Sequence, residues 1–176
     1  MPDYISAFHI AQSSGAFEPQ RLCHFMLEID LNDQAGEEAI RLSLFSASMP
    51  RNASEEKVID YINEKVYFAG KTFYEAGTFT VFDFVDRPTF AALLNWRKQV
   101  YDPSTGAVGM ARDYKKTGRL IMFGPNGEYE RIWRIEGMWP VTVTGADFDM
   151  SSADPQRISV TIRYDKAVPE FAEALL

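Results

Sequence analysis

Hydrophobic and polar positions alternate along much of this chain, a pattern that predicts strands over most of its length. Leu22–Ile29 alternates as a first strand, Asn32–Glu38 reads as a polar turn or loop, and Ala39–Phe45 reads as a second strand. Ser46-Ala47-Ser48-Met49-Pro50 breaks the pattern, because Pro50 bends the chain and cannot donate to a ladder. Two readings compete between residues 51 and 76. Val58 and Ile62 share a face if Glu55–Ile62 is a short helix. Alternatively, Val58–Ile59 and Val66–Phe68 are the arms of a long hairpin with Asp60–Lys65 at its tip. Gly70 and Gly77 punctuate β-branched and aromatic runs there, which favours the hairpin.

Thr78–Val85 carries large apolar groups at both parities, which suits a central strand or one covered by a helix or a partner. Asp86-Arg87-Pro88-Thr89 then reads as a helix entrance: Asp86 can accept first-turn N–H groups, and Pro88 lacks a donor that a helix start can spare. The helix, Phe90–Val100, sets Phe90, Leu93 and Leu94 in a stripe flanked by Trp96, suited to plugging one side of a β-core. Tyr101–Gly106 reads as a loop, and Val108–Tyr114 has no clear pattern. Leu120–Phe123 and Glu128–Ile135 form a hairpin around Pro125-Asn126-Gly127. Gly137 and Pro140 punctuate a connection before the last strands, Val141–Val143 and Arg157–Tyr164.

The length of 176 residues fits one domain, and 46% hydrophobic residues exclude wholesale disorder. A net charge of −7 argues against a general nucleic-acid binder, though not against an acidic channel through which DNA passes without sticking. Residues 1–86 hold 14 acidic against six basic residues, while residues 87–176 hold 11 against 12. That bias either gives the molecule two faces suited to head-to-tail association or vanishes where the halves interleave. Cys23 is alone, so no internal disulfide forms, and its apolar surroundings suggest a buried small side chain. The start lacks a secretory pattern and no run is long enough to cross a bilayer, so cytoplasmic synthesis without membrane insertion is expected. The sequon Asn52-Ala53-Ser54 is then accidental.

The search for chemistry finds little. Gly124–Gly127 lacks the glycine spacing and Lys-Ser/Thr pair of a phosphate loop. Glu128 and Glu130 read as a solvated strand face. Asp147, Asp149 and Asp154 read as a polar turn without calcium-loop spacing. His9, His24, Ser13 and Ser14 form neither a metal set nor a triad. No catalysis, cofactor or metal is expected. Arg112, Lys115, Lys116 and Arg119 cluster around Tyr114, placed either for phosphates or for Glu55 and Glu56 of another copy.

One resemblance unites these segments. Arg21–Ile29, the Ser46–Pro50 break, Val66–Lys71, Gly77–Trp96, Tyr114–Phe123, Trp133–Val143 and Ile158–Asp165 follow one another as in tail-tube proteins of contractile-tailed bacteriophages. That family is related in fold to the tubes of contractile injection systems. The resemblance implies a mainly β protein with a β-barrel-like or β-sandwich core, a flanking α-helix and an extended inter-subunit loop. It implies an arm over residues 1–20, a β-domain over 21–166 and a tail over 167–176. Within the domain, the excursion over 49–66, with Glu55, Glu56, Val58, Lys65 and Val66, matches an inter-ring connection. Asp86, Arg87 and Pro88 match the segment before the helix, with capping and an ion pair as their roles, and Trp96 matches a packing anchor. Trp139 and Pro140 match a turn between strands. Tyr164 and Asp165 match the end of the last strand, where the tyrosine packs and its hydroxyl reaches a polar partner. Arg112 and Lys115 are further interface candidates.

The implied assembly is a stack of hexameric rings forming a hollow tail tube in the virion. Its partners are sheath, baseplate and tape-measure proteins, and DNA passes through an acidic lumen without sequence-specific binding. The alternatives are the inner tube of an injection system or of a phage-tail-like bacteriocin and, more distantly, a head–tail adaptor.

Overall fold

The computed structural model describes residues 20–86, 89–125, 127 and 129–171. The expected arm therefore lies outside the described residues except for Gln20, as do Arg87, Pro88 and Glu128.

The strands are β1 (Phe25–Ile29), β2 (Leu44–Ala47), β3 (Asn52–Tyr61), β4 (Glu64–Tyr74), β5 (Gly77–Phe82), β6 (Tyr101–Asp102), β7 (Ala107–Val108), β8 (Lys116–Phe123), β9 (Tyr129–Gly145), β10 (Arg157–Arg163) and β11 (Lys166–Phe171). The helices are α1 (Gln34–Ser43), α2 (Thr89–Val100) and the single turn α3 (Ala111–Tyr114). β9 organises the rest. Its first half pairs with β8 and β11, giving a half-sheet ordered β1-β8-β9-β11. Its second half pairs with β10, giving a half-sheet ordered β9-β10-β5-β2. The result is one curled, antiparallel, barrel-like sheet flanked by α1 and α2.

Alternation turns one side chain in two into the curl. Leu27, Phe79, Val81, Leu120, Ile135, Ile158 and Val160 are buried there, met by Ile40 from α1 and by Leu93 and Trp96 from α2. Each such side chain contributes about 1.5–3 kcal/mol relative to exposure. Trp96, only 2% exposed, also donates its indole N–H to the Tyr114 carbonyl at 2.9 Å, tying α2 to α3.

Gly137-Met138-Trp139-Pro140 is not the expected turn between strands. It lies inside β9, a continuous strand of 17 residues. Met138 pairs with Lys116 and Ile135 with Gly118, so β9 advances three residues while β8 advances two. Gly137, with φ +68°, sits at this bulge, where a β-carbon would collide with the Asp165 carboxylate. A second shift, between Thr142↔Thr161 and Pro140↔Ile162, follows directly. The bulge reverses the parity of burial. Ile135 faces the core, then Met138 and Pro140 do, while Trp139 is half-buried with its ring 5.9 Å from that of Tyr114.

Other expectations also change. The loop over 32–38 and the strand over 39–45 become mostly α1. Ile40, Leu42 and Leu44 imitate strand alternation, but the small residues Gly36, Ala39 and Ser43 form a buried helical stripe with Ile40. Gly36 lets α1 approach α2 closely, since a β-carbon there would lie 3.2 Å from that of Ala92. Helix α2 receives its described side-chain cap from Asp83, whose Oδ1 accepts the Phe90 N–H at 3.1 Å, whereas Asp86 is exposed. Tyr101–Gly106 is partly a two-stranded ribbon with β7. The segment set aside as a tail begins with β11, laddered to β9. Cys23 is exposed, because it lies in the turn before β1 rather than in the alternating strand.

Candidate assembly surfaces

The competition between helix and hairpin resolves in favour of the hairpin. β3 and β4 pair from Asn52↔Tyr74 to Tyr61↔Glu64, closed by Ile62 and Asn63, with Ile62 in the left-handed region at φ 57°. Facing residues share a side of the ladder. One side carries Lys57, Ile59, Tyr61, Val66 and Phe68, and the other carries Val58, Asp60, Lys65 and Tyr67. No residue of either strand is buried. Glu55, Glu56, Val58, Lys65 and Val66 are thus all exposed along this arm. The larger apolar positions beside them, Ile59, Ile62, Tyr67 and Phe68, complete the surface, and apolar residues at both parities were the sign of it in the sequence.

Among the described residues, only the root of the hairpin is tied to the rest of the chain. The Arg51 N–H donates to the Tyr164 hydroxyl at 3.0 Å, and the Tyr74 hydroxyl donates to the Ala167 carbonyl at 3.4 Å. Arg163 Nη1 donates to the Tyr74 carbonyl at 3.3 Å, and the Tyr74 and Tyr164 rings pack 5.7 Å apart. Beyond these contacts the arm stands away from the sheet. An isolated two-stranded ladder is marginally stable in water, so this one needs a cover.

The basic cluster does not act as a unit. Lys115 Nζ bonds both oxygens of Asp165 at 2.6 and 2.9 Å, joining α3 to the end of β10 within one chain. Arg112 is exposed, 3.5 Å from Asp113. Arg119 lies between Glu28 and Arg134 on the outward face of the first half-sheet. The outward face of the second half-sheet differs: Ser46, Thr80, Ser159 and Thr144 form one row, and Thr78, Thr161 and Thr142 form the next. Neither outward face is predominantly acidic among the described residues.

An open cleft of about 490 Å³ between α1 and the β1–β8 edge is lined by charges of both signs, including Glu28, Glu37, Arg41 and Arg119. Glu37 is used structurally, accepting the Leu31 N–H at 2.8 Å. Asp102 is held below the usual carboxylate range by the Ser104 hydroxyl and N–H, and Asp149 by the Ser151 N–H and hydroxyl. These are loop-shaping Asx turns. No group of three His, Cys, Asp or Glu side chains suited to a metal occurs among the described residues.

The fold has known counterparts. A chain of the sheath–tube complex of an extracellular contractile injection system, PVC in its extended state, superposes with a TM-score of 0.66. The match covers 96% of this chain and 100% of that one at 16% identity. A chain of the anti-feeding prophage cap, a tube-terminating cap, gives 0.65 at 17% identity over 88% of this chain and 93% of that one. A chain of the anti-feeding prophage baseplate gives 0.65 at 12% identity, covering 89% and 98%. No protein-family model and no curated protein matches the sequence. At these identities the likeness is one of fold.

Proposed function

We propose that this protein is a structural subunit of the inner tube of a contractile injection system, assembling as hexameric rings that stack into a hollow conduit. The observation that carries the reading is a near-complete fold match to a chain of a sheath–tube complex, together with an arm whose apolar surface stays exposed among the described residues. Closed rings bury the edges of β-sheets between identical neighbours, and stacking covers the arm. The sheath and baseplate complexes that contain similar chains support sheath and baseplate proteins as partners here. The expected phage tube conducting DNA takes second place to a tube carrying protein, because the similar chains come from injection systems and related particles. The acidic lumen is not carried forward.

Negative-stain electron microscopy over a concentration series tests the assembly. Six-fold rings that stack into hollow tubes are the expected outcome. Persistent monomers, or one ring that never stacks, would return the adaptor reading to first place.

A further inference from the structure

One side chain on the outward face of the first half-sheet is more deeply shielded than its described neighbours explain. Ile121 is only 4% exposed, yet it lies outside the core. Leu120, one position before it, points into the curl in a row with Leu27 and Trp133, so Ile121 points the other way. Beside it in the outward row stand Met26 on β1 and Ile132 on β9, both half-buried. Helices α1 and α2 reach the sheet through Ile40, Leu93 and Trp96, on the core side, so neither covers this row. His24 shares the side of Met26, and its Nδ1 is buried with no hydrogen-bond partner among the described residues. A shielded apolar row with an orphan nitrogen at its edge lies under a cover.

We infer that the row Met26–Ile121–Ile132 is the seat of the chain's own N-terminal segment, residues 1–19. The inference concerns the isolated subunit and holds whatever that subunit assembles into. Three observations select the occupant. Ile121 is buried in a single chain, so the cover does not come from a second copy or another protein. The segment joins the sheet beside the row: Gln20 Nε2 donates to the Phe123 carbonyl at 2.7 Å, two positions from Ile121, and the Phe123 N–H donates to the His24 carbonyl at 3.0 Å. The segment also has the right composition. It carries Tyr4, Ile5, Phe8, Ile10 and Phe17 and no lysine or arginine, so it brings apolar surface without repelling Arg119 and Arg134, which border the row. Crossing the row takes two strand spacings, about 10 Å, a small part of what such a segment can span. The other end of the chain is the competitor. Residues 172–176 follow Phe171, which faces Arg131 near Ile132, but their large apolar groups are Leu175 and Leu176 alone. Seated on the row, the N-terminal segment closes the second face of the first half-sheet and withdraws that face from apolar association between copies.

Photo-cross-linking of the full chain tests this. Cys23→Ser removes the exposed native thiol, and Ile132→Cys gives benzophenone maleimide an attachment point in the row. Irradiation of the dilute, unassembled subunit is expected to join that point to peptides within residues 1–19, in a band that runs as a monomer. Phe8→Asp, Ile10→Asp and Phe17→Asp together should raise the maleimide labelling rate at position 132 about tenfold, as an opened local contact does, while the thermal melt stays cooperative. A map with no adduct in residues 1–19, adducts to residues 172–176 instead, or adducts to a second chain overturn the inference. So does a labelling rate that the three substitutions leave unchanged. Should the triple variant fail to fold, the cross-link map of the unaltered segment decides alone. Tube formation is read separately in the microscope, so its failure would overturn the tube reading and leave this one standing.

Discussion

The β5–β10 ladder and the β3–β4 ladder use similar residues to opposite ends. In the first, Phe79, Val81, Ile158 and Val160 face a core while Thr80 and Ser159 face outward. In the second, Val58, Ile59, Val66, Tyr67 and Phe68 remain exposed on both sides. Strand-forming residues therefore specify a ladder without specifying where its cover comes from. Apolar groups at one parity find cover inside the chain, whereas apolar groups at both parities on a projecting arm call for another molecule.

The largest break in this comparison should come from paired truncations. Phe79→Ala is expected to cost about 3–5 kcal/mol of unfolding free energy, read by denaturant melts of the subunit. Phe68→Ala should change the same melt by less than about 0.5 kcal/mol, as exposed positions do, yet impair tube formation in the microscope. A large loss from Phe68→Ala in the isolated subunit would mean that the arm is covered within its own chain.

Gly137→Ala comes next. It forces a left-handed backbone and crowds Asp165, for a cost of about 2 kcal/mol or more, whereas Gly106→Ala, with φ +70° and open space around it, should cost only about 1 kcal/mol. Equal melting temperatures for the two variants would rule out the crowding at the β9 bulge. Tyr164→Phe, which removes the acceptor of the Arg51 N–H, should cost about 1 kcal/mol and speed hydrogen exchange at that amide. Unchanged exchange there would show that the root is held by other contacts.

The smallest effect is electrostatic. The folded-state pKa of Asp149 lies below its ordinary value of 3.8, so its contribution to stability is complete above that value and is lost as pH falls through the lower folded value. Carbon-13 titration should show this carboxylate protonating at lower pH than in the Ser151→Ala variant. A midpoint unmoved by that substitution would contradict the hydroxyl's bond to Asp149, the N–H bond of the Asx turn being kept in both proteins.

Legibility in the sequence followed how local each signal was. β10 could be read because alternation and burial coincide in it, and β5 because its apolar density marked a central strand, although Thr78 and Thr80 face outward. The helix α2 was visible through its apolar stripe, but its cap was assigned to Asp86 because Asp83 looked like part of the strand before it. α1 was lost because its buried face has one large side chain, Ile40, among small residues, while the exposed Leu42 kept step with a strand. β9 was cut in two because a bulge at glycine followed by proline resembles a turn until the partners on both sides are known. The hairpin was recognised, yet Lys115 was offered to a neighbour although Asp165, fifty positions away, already held it. Contacts at that separation leave no local trace.

Because β9 is laddered to β8 and β11 along one half and to β10 along the other, neither half-sheet can open while leaving the other undisturbed. The amides of Ile132 to Ile135 and of Thr142 to Thr144 are therefore expected to exchange with solvent as one cooperative unit. A load applied at one end of β9 reaches the other end through the covalent bonds of that one strand.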